Sequence, residues 1–432
     1  MFKKLFGTDG IRGQWGDKIT PELAFEIGKA VATIFRREGE QNSVIVGKDT
    51  RLSCDVLEAS LISGITSMGT DVIKIGVVPT AVVPFSISYY KVNAAIMITA
   101  SHNPASDNGF KFFNGNGFRI SDEQESYIEH LISNSSDYAL FPFDKLGRVH
   151  FSRASLNAYI NMVKSELKFK KKFKILFDCA NGSSSSVVKK IFKGYNCTFI
   201  SSSPNGLNIN DHCGATSMEN IIEKMKTKKF DVGFSFDGDA DRVRIVLGGG
   251  KVVSGEDIIY HLTKYNNFSS VVTTKMSNMA LSNQLESEGI KCVVVDIGES
   301  AVINGLLQTP SKLGGENNGH FLLLEKGPCS DGILVAAQIL SIMEKHPKLD
   351  VPYVKYSQFE KAVKVKNKED IIRNSFIREK IELCESLLAE KGRILVRASG
   401  TEEVIRILVE GEDSNLVEEI GREIEENILK LA

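Results

Sequence analysis

The sequence has no apolar run that approaches the length of a membrane-spanning helix, and its first residues lack the pattern of a secretory signal peptide. Its charges almost cancel. The formal net charge is −1 at pH 7, which gives no reason to expect binding to nucleic acid or to an anionic membrane. No pair among the seven cysteines has the C-x-x-C spacing, so free thiols in a reducing compartment are expected. We therefore expect a cytoplasmic protein with no nucleic-acid or membrane partner.

The chain is too long for a single hydrophobic core. At 432 residues it is expected to form three or four domains, and its contents of 42% hydrophobic and 25% charged residues are typical of globular proteins. We predict domains at residues 1–149, 150–249, 250–355 and 356–432, and the glycine run at 248–250 is the clearest boundary.

Strand and helix signals alternate three times along the chain, which predicts three α/β domains with mainly parallel sheets. The predicted strands are residues 44–46, 72–75, 94–98, 173–177, 198–200, 232–236, 271–273 and 293–295. Predicted helices lie near residues 55–68, 185–192, 218–225 and 278–288, and a long helix follows Asp331. From about Lys368 to Leu431 the order is helix, strand, strand, helix, so the last domain should be smaller and partly antiparallel.

Ser101 lies where one of these strands ends. The sequence T-A-S-H-N-P at residues 99–104 follows the apolar run 94–98, and the carboxyl ends of strands are where ligands bind in open α/β sheets. Small, turn-forming neighbours are expected to leave the serine hydroxyl accessible. Taken alone, the segment is equally well interpreted as an ordinary exit from a strand into a polar loop.

A second predicted strand leads into D-G-D-A-D-R, which places aspartates at Asp237, Asp239 and Asp241. Closely spaced carboxylates repel one another, and a hard divalent cation with oxygen ligands is the usual remedy, so we predict a Mg²⁺ site; the alternative is a solvated acidic turn. An EF-hand is excluded because Arg242 stands where that loop needs Gly, and Gly248 where it needs a bidentate Glu. A phosphatase with an aspartate nucleophile stays open, but it leaves the third carboxylate and the serine unexplained.

Two further segments suit phosphate-ester chemistry. The turn R-A-S-G-T-E at residues 397–402 joins two predicted strands, the second of which carries Arg406. Arginines, hydroxyls and a glycine backbone make a good phosphate cradle, although the turn could also be a polar hairpin. The loop G-E-N-N-G-H at residues 315–320 offers a carboxylate, an amide and an imidazole for sugar hydroxyls or an amine, which is weak support by itself.

Together with F-G-T-D-G-I-R-G at residues 6–13, these segments occur in the order found in the α-D-phosphohexomutases. The chain resembles that superfamily from about Phe6 to about Asp413, and five motifs in the right order are far more specific than any one of them. The resemblance implies an α/β fold of three similar domains with mainly parallel mixed sheets, plus a smaller C-terminal α+β domain, around a central cleft.

The resemblance also implies an activity. The opening motif, the N-G-H end of the sugar loop and residues 406–413 are similar to those of the branch that interconverts glucosamine 6-phosphate and glucosamine 1-phosphate. Ser101 would carry a phosphoryl group, donate it to the substrate and be rephosphorylated from glucosamine 1,6-bisphosphate, the intermediate and activator. Mg²⁺ would be held by oxygens of Ser101, Asp237, Asp239 and Asp241.

Roles for the other motif residues are also implied by the resemblance. Arg242 would assist beside the metal, and Arg12 would lie near the phosphoserine. Lys111 and His320 are candidates for proton transfer or leaving-group stabilisation, although a lone Lys is usually solvated and a lone His is often a structural hydrogen-bonding group. The expected substrate contacts are Glu316, Asn318 and His320 for the sugar, and Arg397, Ser399, Gly400, Thr401 and Arg406 for the phosphate that is not being transferred.

Three positions depart from the family pattern. Asn318 stands where Ser is usual, Glu403 replaces a Pro, and Ser300 takes the place of a basic residue. Asn318 bears on hydrogen bonding to the sugar, Glu403 adds a negative charge near the proposed phosphate cradle, and Ser300 removes a positive contact near the cleft. A phosphomannomutase or phosphoglucomutase stays open, as does a sugar-phosphate-binding regulator without catalysis. The expected partner is a small hexosamine phosphate, and the expected assembly is a monomer or a homodimer.

Overall fold

The chain divides into two compact units, which are Met1–Met276 with Cys292–Asp350, and Ser277–Lys291 with Val351–Ala432. The computed structural model describes residues 4–7, 9–37, 42–134, 140–227, 229–399 and 403–432. Over those residues, no helix combines the length and the apolar character that a bilayer crossing requires.

The first sheet of the first unit is mixed. Its strands are β1 (Ile11–Gln14), β2 (Ser43–Lys48), β3 (Asp71–Val77), β4 (Ala94–Ile98), β5 (Asp107–Asn114) and β6 (Val149–Phe151), in the spatial order β1-β5-β4-β2-β3-β6. The associated helices are α1 (Pro21–Ile34), α2 (Cys54–Ser67), α3 (Val82–Tyr90) and α4 (Asp122–Ser133). Strand β2 is parallel to β3 and β4, whereas β5 is antiparallel to β1 and β4. Every residue of β4 is buried, as expected for a central strand made of one apolar run.

The second sheet repeats this plan. Its strands are β7 (Ile175–Asp178), β8 (Cys197–Ile200), β9 (Val232–Phe236), β10 (Val243–Leu247) and β11 (Lys251–Val253), in the order β11-β10-β9-β7-β8. Its helices are α5 (Ala154–Ser165), α6 (Ser184–Ile191) and α7 (Glu219–Lys226). Strand β7 is parallel to β8 and β9, and β10 is antiparallel to β9. Phe177 anchors the core, since its ring contacts those of Phe192, Phe199, Phe234 and Phe236.

The third sheet has β12 (Ser270–Thr274), β13 (Lys291–Val295), β14 (Leu313–Gly315) and β15 (Phe321–Leu323), in the order β13-β12-β14-β15. The helices of this region are α8 (Gly255–Tyr265), α9 (Met279–Ser287), α10 (Glu299–Gln308) and α11 (Gly332–Met343), of which α9 belongs to the second unit. Strand β14 is parallel to β12 and antiparallel to β15. Helix α11 is buried along its whole length, and the Asp331 side chain caps its N-terminus by accepting from the backbone N–H groups of Ile333 and Leu334.

The second unit is built on an antiparallel sheet. Its strands are β16 (Ser357–Lys364), β17 (Gly392–Ala398) and β18 (Val404–Gly411), in the order β16-β18-β17. Besides α9, its helices are α12 (Lys368–Arg373), α13 (Ser375–Leu388) and α14 (Ser414–Leu429). Along α14, Val417, Ile420, Ile424 and Ile428 recur at helical spacing, and this face packs into the core of the unit.

One connection recurs in all three sheets of the first unit. Each sheet pairs a strand of its parallel core with an antiparallel neighbour, as β4 with β5, β9 with β10, and β14 with β15. The three motif loops are the connections within these pairs, at residues 99–106, 237–242 and 316–320.

Strand and helix positions largely follow the sequence-based prediction. The strands at residues 94–98 and 232–236 have the predicted bounds, and the other predicted strands differ by one or two residues at an end. The prediction lacks several elements of the structure, which are strands β1, β5, β6, β10, β11, β14, β15 and β16 and helices α1, α3, α4, α5, α8 and α10. The predicted boundaries between the domains stay a prediction.

Candidate active site

The loop between β4 and β5 holds Ser101 in an uncommon backbone conformation. Its φ is +51°, in the left-handed region that costs a residue with a side chain about 1–2 kcal/mol. The amide N–H of Ser101 donates to Thr99 Oγ1 at 2.9 Å, and its hydroxyl donates to Asp237 Oδ2 at 2.7 Å. The expectation of an accessible hydroxyl is wrong, because Ser101 is only 1% exposed and turns toward a carboxylate of the second domain.

The loop between β9 and β10 presents three buried aspartates to that hydroxyl. Carboxylate oxygens of Asp237, Asp239 and Asp241 lie within 4.8 Å of one another. A Cβ on Gly238 would lie 2.6 Å from the carbonyl oxygen of Ser101. Glycine at this position therefore lets the serine loop and the aspartate loop approach each other.

The electrostatics of the three aspartates fit a divalent cation. Burial, together with the charges of Asp241 and Asp239, raises the pKa of Asp237 well above its usual value. Asp239 Oδ1 is buried and has no hydrogen-bond partner within the described part of the chain. A hard cation with oxygen ligands would satisfy that atom and offset the repulsion between the carboxylates. The residues present therefore fit the predicted Mg²⁺ site.

Lys111 enters the same cluster from β5. Its Nζ lies 2.5 Å from Asp241 Oδ2, 2.9 Å from Asp239 Oδ2 and 3.2 Å from Asp9 Oδ2. Burial alone would lower the pKa of Lys111, but the three carboxylates outweigh burial and raise it well above the usual value. Lys111 is therefore a buried cation of the site and not a solvated surface lysine.

Asp9 connects the N-terminal motif to this cluster. Its carboxylate pairs with Arg12 Nη2, with Lys111 Nζ, and with Arg119 Nη1 at 3.5 Å. Burial opposes ionisation, but these three cations hold the pKa of Asp9 well below its usual range. Asp9 lies in the F-G-T-D-G-I-R-G motif, but the sequence alone gives it no role in the site.

His320 lies between two carboxylates at the end of the third loop. Its Nδ1 is 3.1 Å from Glu316 Oε2 and its Nε2 is 3.2 Å from Asp241 Oδ1, while Arg242 Nε lies 2.9 Å from the same Nε2. Nε2 cannot accept from Arg242 while donating to Asp241, so the two contacts correspond to different protonation states. Burial and Arg242 lower the pKa of His320, but the two carboxylates raise it to about 10, which favours the protonated ring.

The rest of the third loop leaves one side chain open to solvent. Asn318 is exposed, and its Oδ1 accepts from the backbone N–H of His320 at 3.2 Å. Ser300, which stands in place of the expected basic residue, accepts at its hydroxyl from Arg119 Nη1 at 3.0 Å. A cation from the first domain therefore reaches the position where this sequence lacks one.

The second unit pairs two arginines on one face of its hairpin. Arg397 on β17 is directly opposite Arg406 on β18. Partial burial, together with the charge of Arg406, lowers the pKa of Arg397. Ser399 is buried and donates its backbone N–H to the carbonyl of Val404, whereas Gly400 and Thr401 lie outside the described residues. Glu403 points to solvent and pairs with Lys368, so its charge is directed away from the hairpin interior.

Family models match nearly the whole chain. They are described as phosphoglucomutase/phosphomannomutase alpha/beta/alpha domain I at residues 3–139, domain II at 156–250, domain III at 254–356 and the C-terminal domain at 360–427. The chain belongs to the phosphoglucomutase/phosphomannomutase family. It is therefore an isomerase of the phosphohexomutase class, and its fold of three similar α/β domains with a smaller C-terminal domain is confirmed.

Named relatives lie within this phosphohexomutase class. A phosphoglucosamine mutase of Desulforamulus reducens is 39% identical over 424 residues, which cover 95% of this chain and 96% of the relative. One from Carboxydothermus hydrogenoformans is 37% identical, with coverage of 99% and 100%. A family structure from Burkholderia thailandensis has a TM-score of 0.84 at 22% identity, covering 100% of this chain and 98% of the other, which supports the fold.

In this phosphohexomutase, several residues that shape the site were not found from the sequence. Thr80 donates its hydroxyl to Asp239 Oδ2 at 2.6 Å, and Asn210 donates to the carbonyl of Ser101 at 2.8 Å. Both lie in loops without a recognisable motif. Arg51 also contacts the Ser101 loop. The one sequence feature that could have identified it is a charged residue close to the end of a predicted apolar strand.

Proposed function

We propose that this phosphohexomutase interconverts glucosamine 6-phosphate and glucosamine 1-phosphate through a phosphoserine at Ser101. The observation that carries the mechanism is the 2.7 Å hydrogen bond from the Ser101 hydroxyl to Asp237, within a buried group of three carboxylates. The choice of sugar is supported by relatives of 36–39% identity over nearly full length, which are named phosphoglucosamine mutases. The product is on the route to UDP-N-acetylglucosamine and peptidoglycan.

Ser101 is the proposed phosphoryl carrier. In the resting enzyme its Oγ bears a phosphoryl group, which passes to the free hydroxyl of the bound hexosamine phosphate. The resulting glucosamine 1,6-bisphosphate reorients in the site, so that its other phosphoryl group faces Ser101 and returns to the same Oγ. Each transfer breaks one O–P bond and forms another, so no water and no redox partner is consumed.

Oxygens of Ser101, Asp237, Asp239 and Asp241 would hold Mg²⁺, the cofactor that this donor set suits. When bound, the cation supplies charge neutralisation for the phosphoryl group. Phosphoryl transfer depends chiefly on positioning and on charge, and the remaining residues of the site are suited to both.

Lys111 and His320 face Asp241 from two sides. Lys111 Nζ contacts Oδ2 and His320 Nε2 contacts Oδ1 of that carboxylate, so each holds a proton beside the proposed metal-binding cluster. We assign them to proton transfer or to stabilisation of the leaving oxygen. Arg12 and Arg242 add fixed positive charge beside the phosphoryl group.

Recognition of the substrate is assigned to two loops. Glu316, Asn318 and His320 of the third domain are proposed to bind the hydroxyls and the amine of the sugar. In the second unit, the opposed arginines Arg397 and Arg406 are mutually repulsive, and a phosphate bound by both would relieve that repulsion. Ser399, Gly400 and Thr401 complete this proposed phosphate loop.

The proposal is tested by two measurements on the purified protein. Intact mass and phosphosite mapping after incubation with a hexose 1,6-bisphosphate should show one phosphoryl group on Ser101. Turnover on glucosamine, mannose and glucose 6-phosphates should favour glucosamine. Faster turnover of mannose or glucose 6-phosphate would refute the proposed sugar but not the phosphoserine mechanism. Tight binding without any turnover would indicate a regulator. The protein is further proposed to act in the cytoplasm, as a monomer or a homodimer.

A further inference from the structure

Arg51 lies behind the Ser101 loop, shortly after β2, and its side chain is fully buried. A guanidinium has five N–H donors, and all five are used here. They donate to Asp49 Oδ2 and to the carbonyl oxygens of Ser101, Asn103, Pro104 and Asp107. One side chain therefore holds three carbonyl groups of the loop and the first carbonyl group of β5.

Asp49 connects this guanidinium, through Thr99, to the backbone N–H of Ser101. Asp49 Oδ2 accepts from Arg51 Nε at 2.9 Å and from the Thr99 hydroxyl at 2.7 Å, and that hydroxyl accepts from the Ser101 N–H at 2.9 Å. Both the N–H and the carbonyl of Ser101 are thus fixed by one buried ion pair and its neighbour Thr99.

A second donor reaches the same carbonyl groups from the second domain. Asn210 Nδ2 donates to the carbonyl oxygens of Ser101 at 2.8 Å and Asn103 at 3.0 Å. Asn210 and Arg51 therefore hold the Ser101 carbonyl from two elements of the fold.

These contacts determine where the serine hydroxyl points. A non-glycine residue at a φ of +51° keeps that conformation only when its surroundings impose it. With the N–H and the carbonyl both held, the Cα–Cβ bond has one direction, and from it Oγ is within hydrogen-bond reach of Asp237. Without the guanidinium, the Ser101 carbonyl keeps only the bond from Asn210, so the backbone returns more easily to negative φ, which swings Oγ away from the carboxylates.

We propose that Arg51 is a positioning residue for phosphoryl transfer, because it holds the Ser101 loop in the conformation that directs the hydroxyl at the aspartate cluster. The role deepens the proposed function and rests on it. Arg51 touches no reacting atom; it acts through the backbone of Ser101.

The test compares three variants with the wild type. Arg51→Lys keeps the charge but has three donors in place of five and lacks the planar fork. Asn210→Gly removes the second donor, and glycine suits the φ of +58° at that position. Arg36→Lys is the matched control, since Arg36 also donates to a buried carbonyl of the first domain, that of Met68, but lies away from the Ser101 loop.

Each protein is phosphorylated at Ser101 with a hexose 1,6-bisphosphate, and the single-turnover transfer to glucosamine 6-phosphate is followed by rapid quench and intact mass. Melting temperatures and steady-state KM are measured in parallel, and transfer is measured well below melting. We expect Arg51→Lys to slow transfer about 100-fold, the cost of a misplacement of about 1 Å, with KM little changed. Asn210→Gly should slow transfer less, and Arg36→Lys should transfer as the wild type does.

A purely structural role predicts a different result, namely a lower melting temperature with wild-type transfer in the folded protein, and that result overturns the proposal. If Arg51→Lys does not fold, Asn210→Gly decides: slowed transfer supports the proposal, and wild-type transfer overturns it. Slowing by Arg36→Lys to the same extent as by Arg51→Lys also overturns it. A wild type that never takes a phosphoryl group on Ser101 refutes the proposed function, and the positioning role with it, before any variant is compared.

Discussion

Asp331 gives this protein a pH-dependent stability that a single substitution should remove. Its carboxylate caps α11 and accepts from the Tyr159 hydroxyl at 2.9 Å through each oxygen. Burial raises the pKa of Asp331 from 3.8 to about 6, because the hydrogen bonds, which lower it, do not offset the loss of water. The folded state therefore binds this proton more tightly than the unfolded chain does.

The sign and size of the effect follow from linkage. Because the folded pKa is raised, the group does not penalise folding at low pH, and it destabilises the folded state increasingly as the pH rises from about 4 through about 6. Above that range the penalty is constant, at about 3 kcal/mol for a shift of about two pKa units. Between pH 5 and pH 8 the penalty should grow by about 1.5 kcal/mol.

Asp331→Asn isolates this contribution. Asparagine has nearly the same shape, keeps a carbonyl oxygen for the cap and cannot ionise. Urea unfolding is followed by circular dichroism from pH 5 to pH 8. The free energy of unfolding of the variant, relative to that of the wild type, should increase by about 1.5 kcal/mol over this range. Tyr159→Phe removes a hydrogen bond that lowers the pKa of Asp331. The free energy of unfolding of this variant should therefore depend more strongly on pH than that of the wild type. Parallel curves for wild type and Asp331→Asn would show that this carboxyl does not titrate in the range and would refute the reasoning.

Three further predictions concern the proposed chemistry. Ser101→Ala deletes one oxygen and should leave the circular dichroism spectrum unchanged while reducing mutase turnover by several orders of magnitude; near-normal turnover rules out the phosphoserine. Asp239→Asn should weaken Mg²⁺ binding measured by calorimetry and slow transfer, and chelation should silence the wild type reversibly; full activity in excess chelator contradicts a metal site. Arg397→Ala loses a charge-assisted contact worth about 1.5–3 kcal/mol, so KM should rise roughly tenfold or more, and more 1,6-bisphosphate should appear in solution per turnover. Unchanged KM and unchanged release would make the hairpin an ordinary polar turn.

The central strands could be predicted from the sequence because their signals are local. Residues 94–98 and 232–236 are short apolar runs, and burial on both faces is what such runs require. Strand β5 gave no such signal, since Asn108 and Lys111 interrupt its apolar pattern. Both are buried nevertheless, because Asn108 bonds Ser53 and Lys111 meets aspartates of the second domain. Contacts with residues so distant in sequence are not visible in a local pattern.

In the site, too, local features could be predicted from the sequence, and features that depend on distant contacts could not. Spacing alone predicted that Asp237, Asp239 and Asp241 converge, since one tight turn carries all three. The burial of Ser101 was not predictable, because it depends on a contact with Asp237 and on the closeness of two loops from different sheets. Asp9 lies within a motif, but its ion pair with Lys111 depends on the pairing of β1 with β5.

The repeated connection explains why these distant residues meet. In each sheet of the first unit, the motif loop joins a buried core strand to its antiparallel neighbour. The loop therefore lies at the carboxyl ends of the parallel strands in every sheet. Lys111 lies on the strand after the first loop, and a backbone bridge joins Arg242, at the end of the second loop, to His320, at the end of the third. The Lys111 cation, from the strand after the first loop, and the His320 imidazole, from the third loop, thus reach an aspartate of the middle loop. Three copies of one ordinary hairpin connection therefore bring together the three loops to which we assign the carrier hydroxyl, the metal-binding cluster and the sugar contacts, and each copy is free to carry different side chains because its sheet supplies the fold.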